Sequence, residues 1–132
     1  MIDIENELYT KVATALRSHY ANISIFGEDA RVPSSFPCVS FVEADNYTNI
    51  ASVDSDGEQY ANVMYEVNVY SNNQSGKKTE CKAILGIIDS IMLHYGFTRS
   101  MKNPITMDDA TICRISARYT GVVSSTQKIY RR

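Results

Sequence analysis

Tyr60-Ala61-Asn62-Val63-Met64-Tyr65-Glu66-Val67-Asn68-Val69-Tyr70 is the stretch on which the fold turns. Val63, Tyr65, Val67 and Val69 alternate with Asn62, Met64, Glu66 and Asn68, and successive side chains on a strand point to opposite faces. The stretch is therefore a strand with an apolar face and a polar one. The apolar face needs another layer to cover it.

Upstream, Cys38-Val39-Ser40-Phe41-Val42 reads as a second strand, with Val39 and Phe41 on one face. Its neighbour in sequence is the Tyr60–Tyr70 strand, which suggests an antiparallel pair. Between them the chain is polar from Glu43 to Glu58, and Asp56-Gly57 is its strongest turn signal. This segment, about 43–58, is expected to be a long hairpin connection or a mobile loop. Its Asp45–Glu58 part has too little apolar content to offset the entropy of ordering, and is expected to become ordered on docking. Pro33-Ser34-Ser35-Phe36-Pro37 cannot continue a helix. Ile23-Ser24-Ile25-Phe26, ending at Gly27, reads as a brief strand.

Asp3 to about Tyr20 carries Ile4, Leu8, Val12, Ala15, Leu16 and His19 at helical spacing, with Asp3 as the expected N-cap. A second helix is expected from about Lys77 to Tyr95, after the loop Ser71–Gly76. Cys81, Ile84, Leu85, Ile88, Ile91, Met92 and Tyr95 form its stripe, and Gly96 stands where a left-handed cap belongs. Phe97–Met101 reads as a short extended piece that Asn103-Pro104 breaks, and Met107-Asp108-Asp109 as a turn. Thr111–Val123 is the last long strand, with Cys113, Ile115, Ala117 and Tyr119 facing one way and Arg114, Ser116 and Arg118 the other. A short tail, 124–132, follows. These elements predict an α+β fold: an antiparallel sheet of three to four strands with two amphipathic helices packed on one face. The opposite face, with Asn62, Glu66, Asn68, Arg114, Ser116 and Arg118, would be wet or an interface.

Composition narrows the function classes. At 132 residues the chain is expected to form one structural domain, 1–132. Thirteen Lys and Arg against fifteen Asp and Glu leave a net charge of −2, unlike the basic excess of a DNA-reading domain. No apolar run approaches the ~20 residues of a membrane span. Met1-Ile2-Asp3-Ile4-Glu5 has neither the basic nor the apolar part of a secretory signal. Cys38, Cys81 and Cys113 show no CxxC spacing and read as small buried hydrophobes in a protein made in the cytosol.

Motifs that would carry chemistry are sparse. Asp54-Ser55-Asp56-Gly57-Glu58 places Gly fourth, and Tyr65 stands where an EF-hand needs its twelfth-position Glu, so it reads as an acidic turn. Asp108-Asp109 are adjacent, do not converge, and read as a solvated turn. His19 and His94 each end a helix, where the dipole favours a protonated imidazole. The six glycines make no phosphate loop. No catalytic, cofactor or metal site is expected. Nine tyrosines and no tryptophan place Tyr47, Tyr60, Tyr70 and Tyr130 in the loop, at strand ends and in the tail, where they read first as half-buried structural residues and otherwise as contact residues.

Several packing motifs carry a resemblance. They are the N-terminal helix; Phe36-Pro37-Cys38-Val39 opening a strand; Asp56-Gly57-Glu58; and the strand Asn62–Tyr70. Tyr95-Gly96-Phe97-Thr98-Arg99, Asn103-Pro104-Ile105 and Arg114-Ile115-Ser116-Ala117-Arg118-Tyr119 complete the set. Together they resemble the minor capsid or tail-terminator family of tailed phages and prophages of Gram-positive bacteria, over nearly the whole chain. The resemblance implies a structural virion protein without catalysis or cofactor, made in the bacterial host cytoplasm and placed at the tail–head junction. A homohexameric ring would cap the tail tube protein and meet the head–tail connector protein. DNA would be a partner only in passage, and no membrane is involved. The alternative within the virion is a head completion or stopper protein of the connector. A small cytosolic enzyme using Asp108, Asp109 or a Cys–His pair is the remote alternative.

A ring of heterologous contacts needs two different patches on each subunit. The candidate contact residues are Arg114, Arg118, Tyr47, Asp56, Glu58, Tyr130 and Arg131. Arg114 and Arg118, about 13 Å apart on one face at ~3.3 Å per residue, would pair with acids such as Glu66 or reach a neighbouring subunit. Passing DNA must slide, which disfavours a phosphate clamp.

Overall fold

The alternating Tyr60–Tyr70 stretch lies in the middle of a five-stranded sheet in the computed structural model, which describes residues 4–21, 23–27, 36–48, 60–105, 107 and 111–124. In chain order the elements are α1 (Glu5–His19), β1 (Ser24–Phe26), β2 (Cys38–Thr48), β3 (Tyr60–Ser71), α2 (Lys77–His94), β4 (Thr98–Ile105) and β5 (Cys113–Ser124). The strand order is β1-β2-β3-β5-β4. β1 runs parallel to β2, and every other pair is antiparallel. The class is the expected α+β.

The strand count is five rather than three or four, for two reasons. The brief Ser24–Phe26 piece pairs with Cys38–Ser40, and Ser24 N–H donates to Pro37 O at 3.1 Å. The piece after α2 does not break at Asn103-Pro104 but continues as β4 to Ile105. β4 is the outermost strand of the sheet, and an edge position is where a strand tolerates a residue without an N–H.

β2 also extends further than its sequence suggests. Glu43–Thr48, expected as the start of a loop, stays in register with β3 as far as Thr48 opposite Ala61. A bulge at Ala44 shifts the pairing so that Asp45 lies opposite Met64 instead of the buried Val63. One extra residue thereby turns an aspartate away from the core. Asn46 takes the place opposite Val63 and donates from Nδ2 to Glu43 Oε1 at 2.9 Å. The remainder of the 43–58 segment, with Asp56 and Glu58, and the tail residues Tyr130 and Arg131 lie outside the described residues.

One core holds the layers together. Val39, Phe41, Val63, Tyr65, Val67, Val69, Ile115, Ala117 and Tyr119 project from the inner sheet face into a cluster with Leu8, Val12 and Leu16 of α1 and Ile84, Ile88 and Met92 of α2. Phe41 and Tyr65 stack at 5.1 Å, and Phe97 meets Tyr65 edge-on at 5.7 Å. α1 begins after Ile4 rather than after the expected Asp3 cap, and no side chain caps it. Such a cap contributes about 1 kcal/mol, whereas burial contributes roughly 2 kcal/mol for each of Ile4, Leu8, Val12 and Leu16. Packing sets this helix start.

α2 ends as its sequence indicates. Gly96 has φ 96°, Gly96 N–H donates to Leu93 O, and Phe97 N–H donates to Met92 O, both at 3.0 Å. This is a Schellman cap, and it delivers Phe97 into the core beside the start of β4.

Candidate functional site: the outer face of the sheet

Register assigns the outer face. Cys38, Ser40 and Val42 of β2 oppose Tyr70, Asn68 and Glu66 of β3. These in turn oppose Arg114, Ser116 and Arg118 of β5. Met101, Asn103 and Ile105 of β4 complete the rows.

This face is not uniformly wet, and the expectation is corrected for one half of it. Cys38, Ser40, Asn68, Tyr70 and Ser116 are all at most 3% exposed. Arg114, half-buried, donates from Nε to Asn68 Oδ1 at 3.0 Å and lies over the Tyr70 ring, 5.3 Å from its centroid. Its guanidinium is thus engaged inside the subunit, and Tyr70 is a buried support rather than a contact residue. Burial also pushes the Cys38 thiol up to about 11, which keeps it protonated and unreactive at neutral pH.

The other half is open. Val42, Met64, Met101 and Val122 are half-buried, interleaved with the half-buried Asn62, Glu66 and Thr120 and the exposed Asp45 and Arg118. Arg118 Nη2 stands 3.7 Å from Glu66 Oε2, with the two side chains 45% and 30% exposed. At that distance and exposure the pair contributes little stability. Tyr47 pairs with Asn62 in the backbone register of the same region. Arg114 and Arg118 therefore share a face, as their spacing implies, but only Arg118 is presented outward. Glu66 and Arg118 lie between Val42 and Met101 in one cross-strand row, so charged and apolar side chains alternate across this half of the face.

The inner side carries a polar link that sequence spacing does not reveal. Asp89 of α2 accepts at Oδ1 from Arg99 Nη1 of β4 at 2.9 Å and from Tyr119 Oη of β5 at 2.8 Å. Burial, and then the neighbouring Asp89 carboxylate, raise the Tyr119 phenol above its ordinary value. At the start of α2, Ser71 Oγ donates to Glu80 Oε1 at 2.7 Å and Asn73 Nδ2 to Glu80 Oε2 at 3.1 Å. A depression of about 630 Å³ beside this loop is lined by residues including Asn73, Ser75, Lys77, Lys78 and Thr111.

The remaining chemical motifs are placed as follows. His19 Nδ1 lies 3.0 Å from Ala15 O, and the His94 ring meets Tyr95 edge-on. Asp54, Asp108 and Asp109 lie outside the described residues. Among the described residues, no group of three or more His, Cys, Asp or Glu is arranged to hold a metal ion. None of the described helices is long and apolar enough to cross a membrane.

Comparison with known proteins yields no matching family model and no similar curated protein.

Proposed function

We propose that this chain is a structural virion protein, a tail terminator that caps the phage tail tube as a homohexameric ring and forms the head–tail joining surface. The observation that carries the reading is the open half of the outer sheet face, where half-buried Val42, Met64, Met101 and Val122 are interleaved with Asp45, Glu66 and Arg118. It supplies one contact patch. The exposed strand β4, at the sheet edge beyond β5, supplies a second and different one. Two unlike patches on one subunit are what a closed ring of heterologous contacts requires. The resemblance of the packing motifs to the tail-terminator family adds to this reading. Head-completion proteins have a similar size and layout, so the station in the virion is the point to test.

Electron microscopy of a lysate from a phage lacking this protein separates the stations. A terminator leaves filled heads beside tails of abnormal length. Heads that lose DNA beside tails of normal length would instead assign a stopper. Native mass spectrometry over a concentration series checks the ring, and a stable dimer at every concentration would overturn it.

A further inference from the structure

Cys81 and Cys113 are brought together across the interface between helix and sheet. Cys113 opens β5 on the inner face, paired with Ser71 of β3, and Cys81 lies in the second turn of α2 above that seam. Cys81 Sγ donates to Cys113 O at 3.3 Å and lies 3.6 Å from Val69 O, so it sits over the junction of β3 and β5. The contact to Cys113 O brings the Cys81 sulfur onto residue 113, whose side chain lies on the same inner face. Cys81 is fully buried, whereas Cys113 is partly exposed, and both are free thiols. Cys38 is also buried, but on the opposite face of the sheet.

We propose that Cys81 and Cys113 form a reversible disulfide staple between α2 and β5, closed by a small-molecule disulfide of the glutathione class. The partly exposed Cys113 is the entry point. Its thiol gives up a proton, and the thiolate attacks one sulfur of the oxidant. The oxidant's S–S bond breaks, and one glutathione leaves as a thiolate that takes up a proton. Cys81 then loses its proton and attacks the Cys113 sulfur of the mixed disulfide, expelling the second glutathione, which is protonated in turn. Two protein thiols are oxidised and one glutathione disulfide is reduced to two thiols. Burial holds the Cys81 thiol in its protonated form, so the second step is the slow one and the mixed disulfide precedes the staple. The bond would close a loop running from position 81 to position 113 and restrict the unfolded chain. This inference concerns the folded subunit and does not depend on the ring.

The full-length reduced protein is incubated with glutathione disulfide, quenched in acid and mapped by mass spectrometry, with melting recorded in parallel. The expected product has lost two hydrogens, joins Cys81 to Cys113 and leaves Cys38 free. It melts higher by on the order of 10 °C, and a dithiol reductant restores the original melting. Cys38→Ala should form the same bond. A final product with glutathione retained on Cys113, unmodified thiols throughout, or a bond to Cys38 would each overturn the proposal.

Discussion

Phe97 lies directly over Gly121: a Cβ at Gly121 would stand 2.7 Å from Phe97 Cδ1 and 2.8 Å from Cε1. Gly121 pairs with Val63 on the inner face of the sheet, and the Phe97 ring, delivered by the cap at the end of α2, fills the space a side chain would take. Because Phe97 also abuts Tyr65, this close approach ties the C-terminal end of α2 to the central strand.

Gly121→Ala is therefore expected to destabilise the subunit by about 1–3 kcal/mol, since the ring must move against a packed core. Urea denaturation measures it. In a Phe97→Leu background the same substitution should cost markedly less. Equal costs in both backgrounds would show that the contact is not the cause.

Gly86 presents the reverse case. It is exposed in the middle of α2, and a Cβ there would meet nothing within 4 Å. Gly86→Ala should stabilise the free subunit by about 1 kcal/mol through helix propensity. A lower melting temperature would contradict this.

Arg114 and Arg118 should separate in a way their spacing alone does not indicate. Arg114→Ala removes the donor to buried Asn68 and is expected to cost about 1–3 kcal/mol of subunit stability. Arg118→Ala removes an exposed pair worth less than about 1 kcal/mol and should leave melting nearly unchanged while weakening ring assembly. Thermal melting together with native mass spectrometry reads both. Intact assembly of the Arg118 variant would remove it from the contact surface.

Alkaline conditions should weaken the fold through its buried thiols. Burial lifts the Cys38 thiol to about 11, above the ordinary value of about 8.5, so the folded chain keeps a proton that the unfolded chain releases. The resulting stabilisation is fully present below about pH 8.5 and is lost as the pH climbs towards 11. Cys81 and, above about pH 10, Tyr119 act in the same direction, because both are also raised. Urea midpoints followed upward from neutral pH should fall less steeply for Cys38→Ala than for the parent chain. Parallel curves would exclude Cys38 as a contributor.

Removal of Asp89 tests the link between α2, β4 and β5. Asp89→Ala leaves the buried Tyr119 hydroxyl without its acceptor and is expected to cost about 1–3 kcal/mol. Tyr119→Phe should cost less, because it removes the polar group rather than stranding it. If Asp89→Ala costs nothing in chemical denaturation, the link does not support the fold.

Periodicity made β3, β5 and both helices legible along the chain, because alternation and the helical stripe are local consequences of where each side chain must point. The Gly96 cap was legible for the same reason: a left-handed residue after an apolar stripe is a local requirement. Strand order and register depend on partners distant in sequence. No local pattern shows that Ser24–Phe26 aligns with Cys38–Ser40, or that a bulge at Ala44 turns Asp45 outward. Nor does alternation show how deeply a polar face is buried: Asn68 and Glu66 occupy equivalent places in the pattern, yet Asn68 is closed in beneath Arg114 while Glu66 stays half-exposed. Spacing placed Arg114 and Arg118 on one face. Their different partners, buried Asn68 and Tyr70 for Arg114 and half-exposed Glu66 for Arg118, decide that one is engaged inside the subunit and the other is presented outward.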